Sequence, residues 1–97
     1  MLCIKTIKHL TDSEKQEFDV FVRHAQQSDI IVYERRCGTL FGCVILTKNK
    51  EYTTITNLFV VDSENNLGIG KKLLDTVKVL SNNQLIYICC NPMRFSG

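Results

Sequence analysis

Asn57-Leu58-Phe59-Val60-Val61-Asp62-Ser63-Glu64-Asn65-Asn66-Leu67-Gly68-Ile69-Gly70-Lys71-Lys72-Leu73-Leu74 decides the fold. A β-branched, apolar run leads straight into a polar, glycine-bearing turn and from there into a helical pattern. Ile69, Leu73, Leu74, Val77 and Leu80 recur on one face of a 3.6-residue period with Lys71, Lys72, Asp75 and Lys78 opposite, so the spacing predicts an amphipathic helix over 68–80. Strand, glycine turn and helix in that order make an anion trap: glycines let backbone N–H groups converge, and the helix N-terminus adds partial positive charge. Lys71 and Lys72 place cations in the first turn against the usual dipole preference, which an anionic ligand would explain. The plainer alternatives are a tight turn without a ligand and a solvated lysine face.

Tyr52 to Val61 is the strand that enters the turn. Upstream, Ile30-Ile31-Val32-Tyr33-Glu34, a turn near Cys37-Gly38, Thr39 to Thr47 and a turn at Asn49-Lys50 complete a three-stranded antiparallel meander. Earlier still, Leu2 to Leu10 reads as a strand, and Thr11-Asp12-Ser13-Glu14 has the form of a capping box opening a helix. Phe18, Phe21, Val22 and Ala25 give that helix one core stripe. Downstream, Ser81-Asn82-Asn83 ends the second helix. Leu85-Ile86-Tyr87-Ile88-Cys89-Cys90 is a continuous apolar run, the pattern of a strand buried on both faces, closed by Asn91-Pro92. The order is β-α-β-β-β-α-β, an α/β (α+β) arrangement with a mixed, mainly antiparallel sheet. The right-handed crossover rule makes the Tyr52–Val61 and Leu85–Cys90 strands parallel.

The 97 residues suffice for one hydrophobic core, so a single domain over 1–97 is expected. With 44% hydrophobic and 23% charged residues the chain matches soluble globular proteins. A net charge of +2, with no recognisable nucleic-acid motif, argues against a nucleic-acid partner or an anionic membrane. The opening Met1-Leu2-Cys3-Ile4 runs at once into Lys5, Lys8 and His9, unlike a signal peptide, and no apolar run approaches the roughly 18 residues of a membrane span. A cytoplasmic location is the expectation. Cys3, Cys37, Cys43, Cys89 and Cys90 form no CxxC pair and have no histidines at zinc-ligand spacing, so they read as reduced, mostly buried thiols with no metal. His9 and His24 stand alone and read as surface or satisfied side chains.

Three phosphate-loop patterns compete for the glycine turn. A Walker loop needs Gly where Asn65 stands and a hydroxyl where Lys72 stands. A dinucleotide fingerprint needs a third Gly where Leu73 stands. The remaining pattern is that of the GNAT superfamily of acetyl-CoA-dependent N-acetyltransferases, which the stretch resembles: Leu58-Phe59-Val60 matches the strand, Gly68-Ile69-Gly70 the turn and Leu73-Leu74 the helix. Asn65 and Asn66 depart from that signature, standing where Gln or Arg and a frequent Gly occur. The resemblance extends from about Ile30 to Asn91.

The resemblance implies that the fourth and fifth strands splay, and that the pantetheine arm lies against the backbone of Leu58, Phe59 and Val60 as an added strand would. It implies a pyrophosphate held by Asn65, Asn66, Leu67, Gly68, Ile69, Gly70 and Lys71, with Asn91 beside the cofactor at the end of the last strand. A main-chain N–H of the fourth strand would stabilise the oxyanion, and the acetyl group would pass directly to a primary amine. The glutamate base that some members carry on the fourth strand falls here at Thr54, so Glu51, Glu34 or His24 would have to substitute through water. The tyrosine acid belongs to a helix after the fifth strand. The chain is expected to lack that helix and the strands beyond it, which leaves Tyr87 as the last tyrosine. Two functions stay open: an N-acetyltransferase acting on a protein lysine or N-terminus or a small amine, and a catalytically impaired CoA-binding or protein-interaction module. An exposed apolar edge left by absent terminal elements would favour a homodimer or protein partner.

Overall fold

A computed structural model describes residues 2–62, 68–89 and 93–96, with the backbone alone at 62 and 93–96. β1 (Leu2–Thr6) passes through a 3-10 turn, Ile7–His9, into α1 (Asp12–Glu17) and α2 (Asp19–Val22). The meander is β2 (Ile30–Arg36), β3 (Thr39–Lys48) and β4 (Tyr52–Asp62). Then follow α3 (Ile69–Leu80), β5 (Leu85–Ile88) and β6 (Met93–Ser96). The sheet runs β1-β2-β3-β4-β5, antiparallel up to β4, with β5 and β6 both parallel to β4. This is the mixed α+β arrangement that the element order predicts.

Thr11 caps α1 in a full capping box: its hydroxyl accepts from the Glu14 amide and the Glu14 carboxylate accepts from the Thr11 amide. The single helix expected after it is two short pieces meeting at Phe18, whose φ of −96° and ψ of 11° leave the helical region. The bend seats Phe18 in the core, fully buried with its ring 5.1 Å from that of Tyr33.

Alternation along the strands builds two cores. Ile7, Leu10, Phe18, Ile31, Tyr33, Cys43, Ile45 and Phe59 pack under α1 and α2. Val32, Val44, Leu46, Ile55 and Leu58 meet Ile69, Leu73 and Val77 of α3 on the other face. At β4 the alternation slips. Ile45 pairs with Asn57 but Leu46 pairs with Ile55, so Thr56 is an extra residue, a bulge that keeps both Ile55 and Leu58 on the α3 side.

Two expectations need correction. The Leu85–Cys90 run is not buried on both faces: Leu85 is 69% and Ile88 56% exposed. β5 is a sheet edge, Ile86 alone of its residues joins the α3 core, and nothing among the described residues covers its other face. Of the four described cysteines only Cys43 is buried; Cys37 and Cys89 are exposed and Cys3 lies between. The fourth and fifth strands part after Ile55. β5 pairs with β4 only over Tyr52–Ile55, but β6, which the sequence did not suggest, takes the same edge at Phe59–Asp62. Unpaired edge groups attract any extended segment within reach, and the interruption is left at Thr56–Leu58.

Candidate functional site

The site is built where β4 ends and α3 begins. Gly68 precedes the helix with φ +90°, and a Cβ there would meet none of the described residues within 4 Å. Glycine is required by the left-handed backbone, not by crowding, and the side of the turn it presents is open. A Cβ on Gly70 would touch only Val60 Cγ2, at 3.7 Å, which is ordinary contact. Ile69 is 1% exposed and anchors the first turn in the α3 core. Residues Asn65, Asn66, Leu67 and Asn91, expected to hold the cofactor, lie outside the described residues.

Gly42 on β3 sets the position of that turn. A Cβ at Gly42 would come 3.1 Å from Leu73 Cδ1, 3.1 Å from the Phe59 carbonyl oxygen and 3.2 Å from Ile69 Cγ2. Without a side chain there, α3 lies close against the β3–β4 ladder at the Gly42–Val60 pair. The sequence reading passed over Gly42, although an isolated glycine in a strand pattern signals close backbone approach.

Leu58 and Phe59 are buried and Val60 is partly buried, Leu58 and Val60 under α3 and Phe59 against Phe21 with ring centroids 5.0 Å apart. Their side chains are core, so whatever they offer a ligand they offer through the backbone. The bulge at Thr56 sits where the β5 pairing stops. The Thr56 hydroxyl donates to the Ile45 carbonyl at 3.3 Å, and the Cys89 amide donates to the Ile55 carbonyl at 2.9 Å, the last contact before the interruption. The bulge was not legible in advance, since neither Thr56 nor Asn57 is a residue type that marks one.

The two lysines of the first turn part company. Lys71 is exposed and makes no ion pair among the described residues. Lys72 reaches across the sheet to Glu34, Nζ to Oε1 at 3.2 Å, and Arg36 Nε lies 3.4 Å from the same oxygen. Glu34 is 1% exposed. Burial pushes its pKa up, but the hydrogen bond and charge of Lys72, aided by Arg36, outweigh burial and hold it below the usual carboxylate value. A buried carboxylate kept ionised by two cations, on the α3 side of β2 and two strands from β4, is a fastening for α3.

The other candidates lie elsewhere. Glu51 is exposed in the β3–β4 turn, at the opposite end of an eleven-residue strand from Gly68, roughly 30 Å away at strand rise. Tyr87, 51% exposed, pairs with Thr54, and its ring stands edge-on to Tyr52 with centroids 5.4 Å apart. It is the nearer of the two to the bulge, two residues from Thr56 along the ladder. His24 follows α2 on the opposite face of the sheet from α3. The structure does not bring Glu34, Glu51 and Tyr87 together. A depression of about 450 Å³ flanks the other side of α3, lined by Leu2, Gly68, Lys71, Asp75 and Val79 among others. It shares the glycine turn with the site but none of Leu58, Phe59 and Val60.

With a β4 edge interrupted beside a bulge, a left-handed glycine after it and a helix packed over β3 and β2, the chain has a GNAT-type fold. Solved structures agree. The chain superposes on a ribosomal-protein-alanine N-acetyltransferase from Brucella melitensis biovar Abortus 2308 with a TM-score of 0.63 at 13% identity, covering 94% of this chain and 80% of that one. It superposes on an acyl-CoA N-acyltransferase from Pseudomonas aeruginosa with a TM-score of 0.60 at 20% identity, covering 91% and 75%. No protein-family model matches the sequence, and no curated protein matches it in sequence.

Proposed function

We propose that the chain binds acetyl-CoA and passes its acetyl group directly to a primary amine, on a protein lysine or N-terminus or on a small molecule. The observation that carries this reading is the open, left-handed turn at Gly68 feeding α3, set against the Leu58–Val60 backbone by the close seat at Gly42. A diphosphate would sit on the amides of that turn, with the exposed Lys71 beside it as a cation. The acyl-bearing arm would run along β4 toward the Thr56 bulge, where a main-chain N–H can face the thioester oxygen. Attack by the neutral amine on the thioester carbon forms the amide and breaks the C–S bond, CoA leaves as thiolate and takes up, through water, the proton the nitrogen sheds, and no cysteine is needed as nucleophile. We place the protein in the cytoplasm; the four described cysteines are free thiols, which suits a reducing compartment.

Titration calorimetry with acetyl-CoA tests the reading. Binding in the micromolar range is expected, and heats absent at millimolar ligand would sink it. Lys71→Ala should weaken binding about threefold to tenfold, the loss of one exposed cation near a phosphate, and leave Tm unchanged.

A second reading is a protein-interaction module that keeps the fold without turnover. It draws on the exposed apolar side chains of the edge strand, Leu85, Tyr87 and Ile88, with Tyr52 next to them. Free CoA released from acetyl-CoA across a panel of amines would decide against it.

A further inference from the structure

The interrupted edge of β4 carries two different partners. β5 pairs over Tyr52–Ile55 with Leu85–Ile88, and β6 pairs over Phe59–Asp62 with Met93–Ser96, both parallel. Between the two ladders β4 spends Thr56, Asn57 and Leu58, while the other side spends residues 89–92, one more. The C-terminal segment therefore changes register by one residue across the bulge and resumes pairing on the far side. The edge that it resumes on includes Phe59 and Val60, the backbone assigned above to the arm of the coenzyme. A main-chain edge can make one ladder at a time.

Resting on the proposed function, we propose that β6 is an intramolecular competitor of the coenzyme: it pairs with Phe59–Asp62 in the empty protein and must leave that edge for the acyl-CoA arm to bind. The chemistry of the exchange is matched. The pantetheine arm is an extended chain with two amide groups, which offers the edge the donors and acceptors that a strand backbone offers. The device is also weak enough to be displaced. Four residues of parallel strand make only a few ladder bonds, and strand ends open locally far below the global unfolding free energy. If β6 is docked 90–99% of the time, the apparent Kd of the coenzyme rises about tenfold to a hundredfold, because only the undocked fraction binds.

The test is acetyl-CoA affinity by calorimetry for the full chain, for a chain ending at residue 92, and for Arg94→Pro/Phe95→Pro, which keeps the length but removes two backbone N–H groups, one of which faces β4. Thermal melts establish that each variant is folded. Tightening of about tenfold or more in either variant is expected. Hydrogen exchange supplies a second readout on the unaltered chain: amides of residues 94–96 should lose protection when acetyl-CoA saturates it. Equal affinity in all three proteins with unchanged protection would overturn the competitor and leave coenzyme binding standing. Weaker binding in the variants would overturn it too, since β6 would then be part of the site. Absence of acetyl-CoA binding in all three would overturn the acyltransferase reading and the competitor with it.

Discussion

The two faces of the sheet are fastened by different physics. On one, α3 is a twelve-residue amphipathic helix held largely by shape: Ile69, Leu73 and Val77 are at most 1% exposed, and Ile69 and Leu73 bear on a glycine that lets them come close. On the other, α1 and α2 are too short to be stable helices alone and are tied down by directed polar contacts. Glu14 accepts from Lys5 Nζ at 2.9 and 2.8 Å and from the Tyr33 hydroxyl at 3.0 Å, while Arg35 grips Glu17 through two bonds of 2.7 Å. The face that must hold the glycine turn in one place relies mainly on packing, with the ion pair of Lys72 to the buried Glu34 as a polar fastening beside it. The α1–α2 face joins its Phe18, Phe21 and Val22 core to contacts that pH, salt and small shifts can alter.

The largest effect should come from Leu73→Ala. Leu73 is fully buried and touches the Gly42 seat, so truncation removes apolar contact and leaves a cavity, costing about 2–5 kcal/mol by chemical denaturation. Gly42→Ala comes next. Its methyl would lie 3.1 Å from a backbone oxygen that cannot move aside cheaply, so about 1–3 kcal/mol is expected together with a lift of α3 off β3. The two differ in what they do to acetyl-CoA. Gly42→Ala should weaken binding more per unit of lost stability, because it displaces the turn and not merely the core beneath it. Equal loss of affinity at matched stability would break the claim that Gly42 positions the site.

Legibility in the sequence followed the same division. The packed face was read well, since Ile69, Leu73 and Val77 carry a helical period and the strand-turn-helix order fixes the crossover. The capping box at Thr11 and Glu14 was equally plain. What stayed hidden depends on pairing partners far apart in the chain. Nothing local marks Thr56 as a bulge, because a bulge is a mismatch between two strands and belongs to neither. Lys72 could not be told from Lys71 without knowing that Glu34 lies beneath one of them. The apolar run at Leu85 was read as doubly buried because hydrophobicity reports what a strand tolerates, while burial depends on what the rest of the chain supplies to cover it. The loop residues Asn65, Asn66 and Leu67 rest on the resemblance alone.

On the polar face, Glu14 should make stability depend on acid. The hydrogen bond from Lys5, then that from the Thr11 amide, lower its pKa to about 2, burial opposing them, with the Tyr33 hydroxyl helping. Since the folded value lies below the unfolded one, its contribution is complete above about pH 4.5 and is lost as pH falls toward 2. Lys5 is 36% exposed and solvent screens the pair, so about 1–2 kcal/mol is a fair size. Glu14→Gln should therefore lower Tm at pH 7 and flatten the acid limb of a Tm-versus-pH series. If the variant kept the parent's slope between pH 4.5 and 2, other carboxylates would be responsible.

The smallest effect sharpens the contrast most. Arg35 lies over the rings of Phe18 and Tyr33, its guanidinium carbon 5.8 and 5.7 Å from their centroids, while its two-pronged grip on Glu17 leaves both side chains about a third exposed. An exposed ion pair alone contributes about 0–1 kcal/mol, and a guanidinium over a ring about 0.5–1 kcal/mol. Arg35→Ala should cost about 1 kcal/mol, read as a Tm drop of about 4–8 °C in a domain of this size. Arg35→Lys separates the two contributions, because an ammonium keeps the charge but has neither the fork nor the flat face. If planarity matters, lysine should recover less than half of the loss, and 1 M salt should leave the rest in place. Full recovery by lysine, abolished by salt, would mean that this face is held by charge alone and that its geometry is incidental.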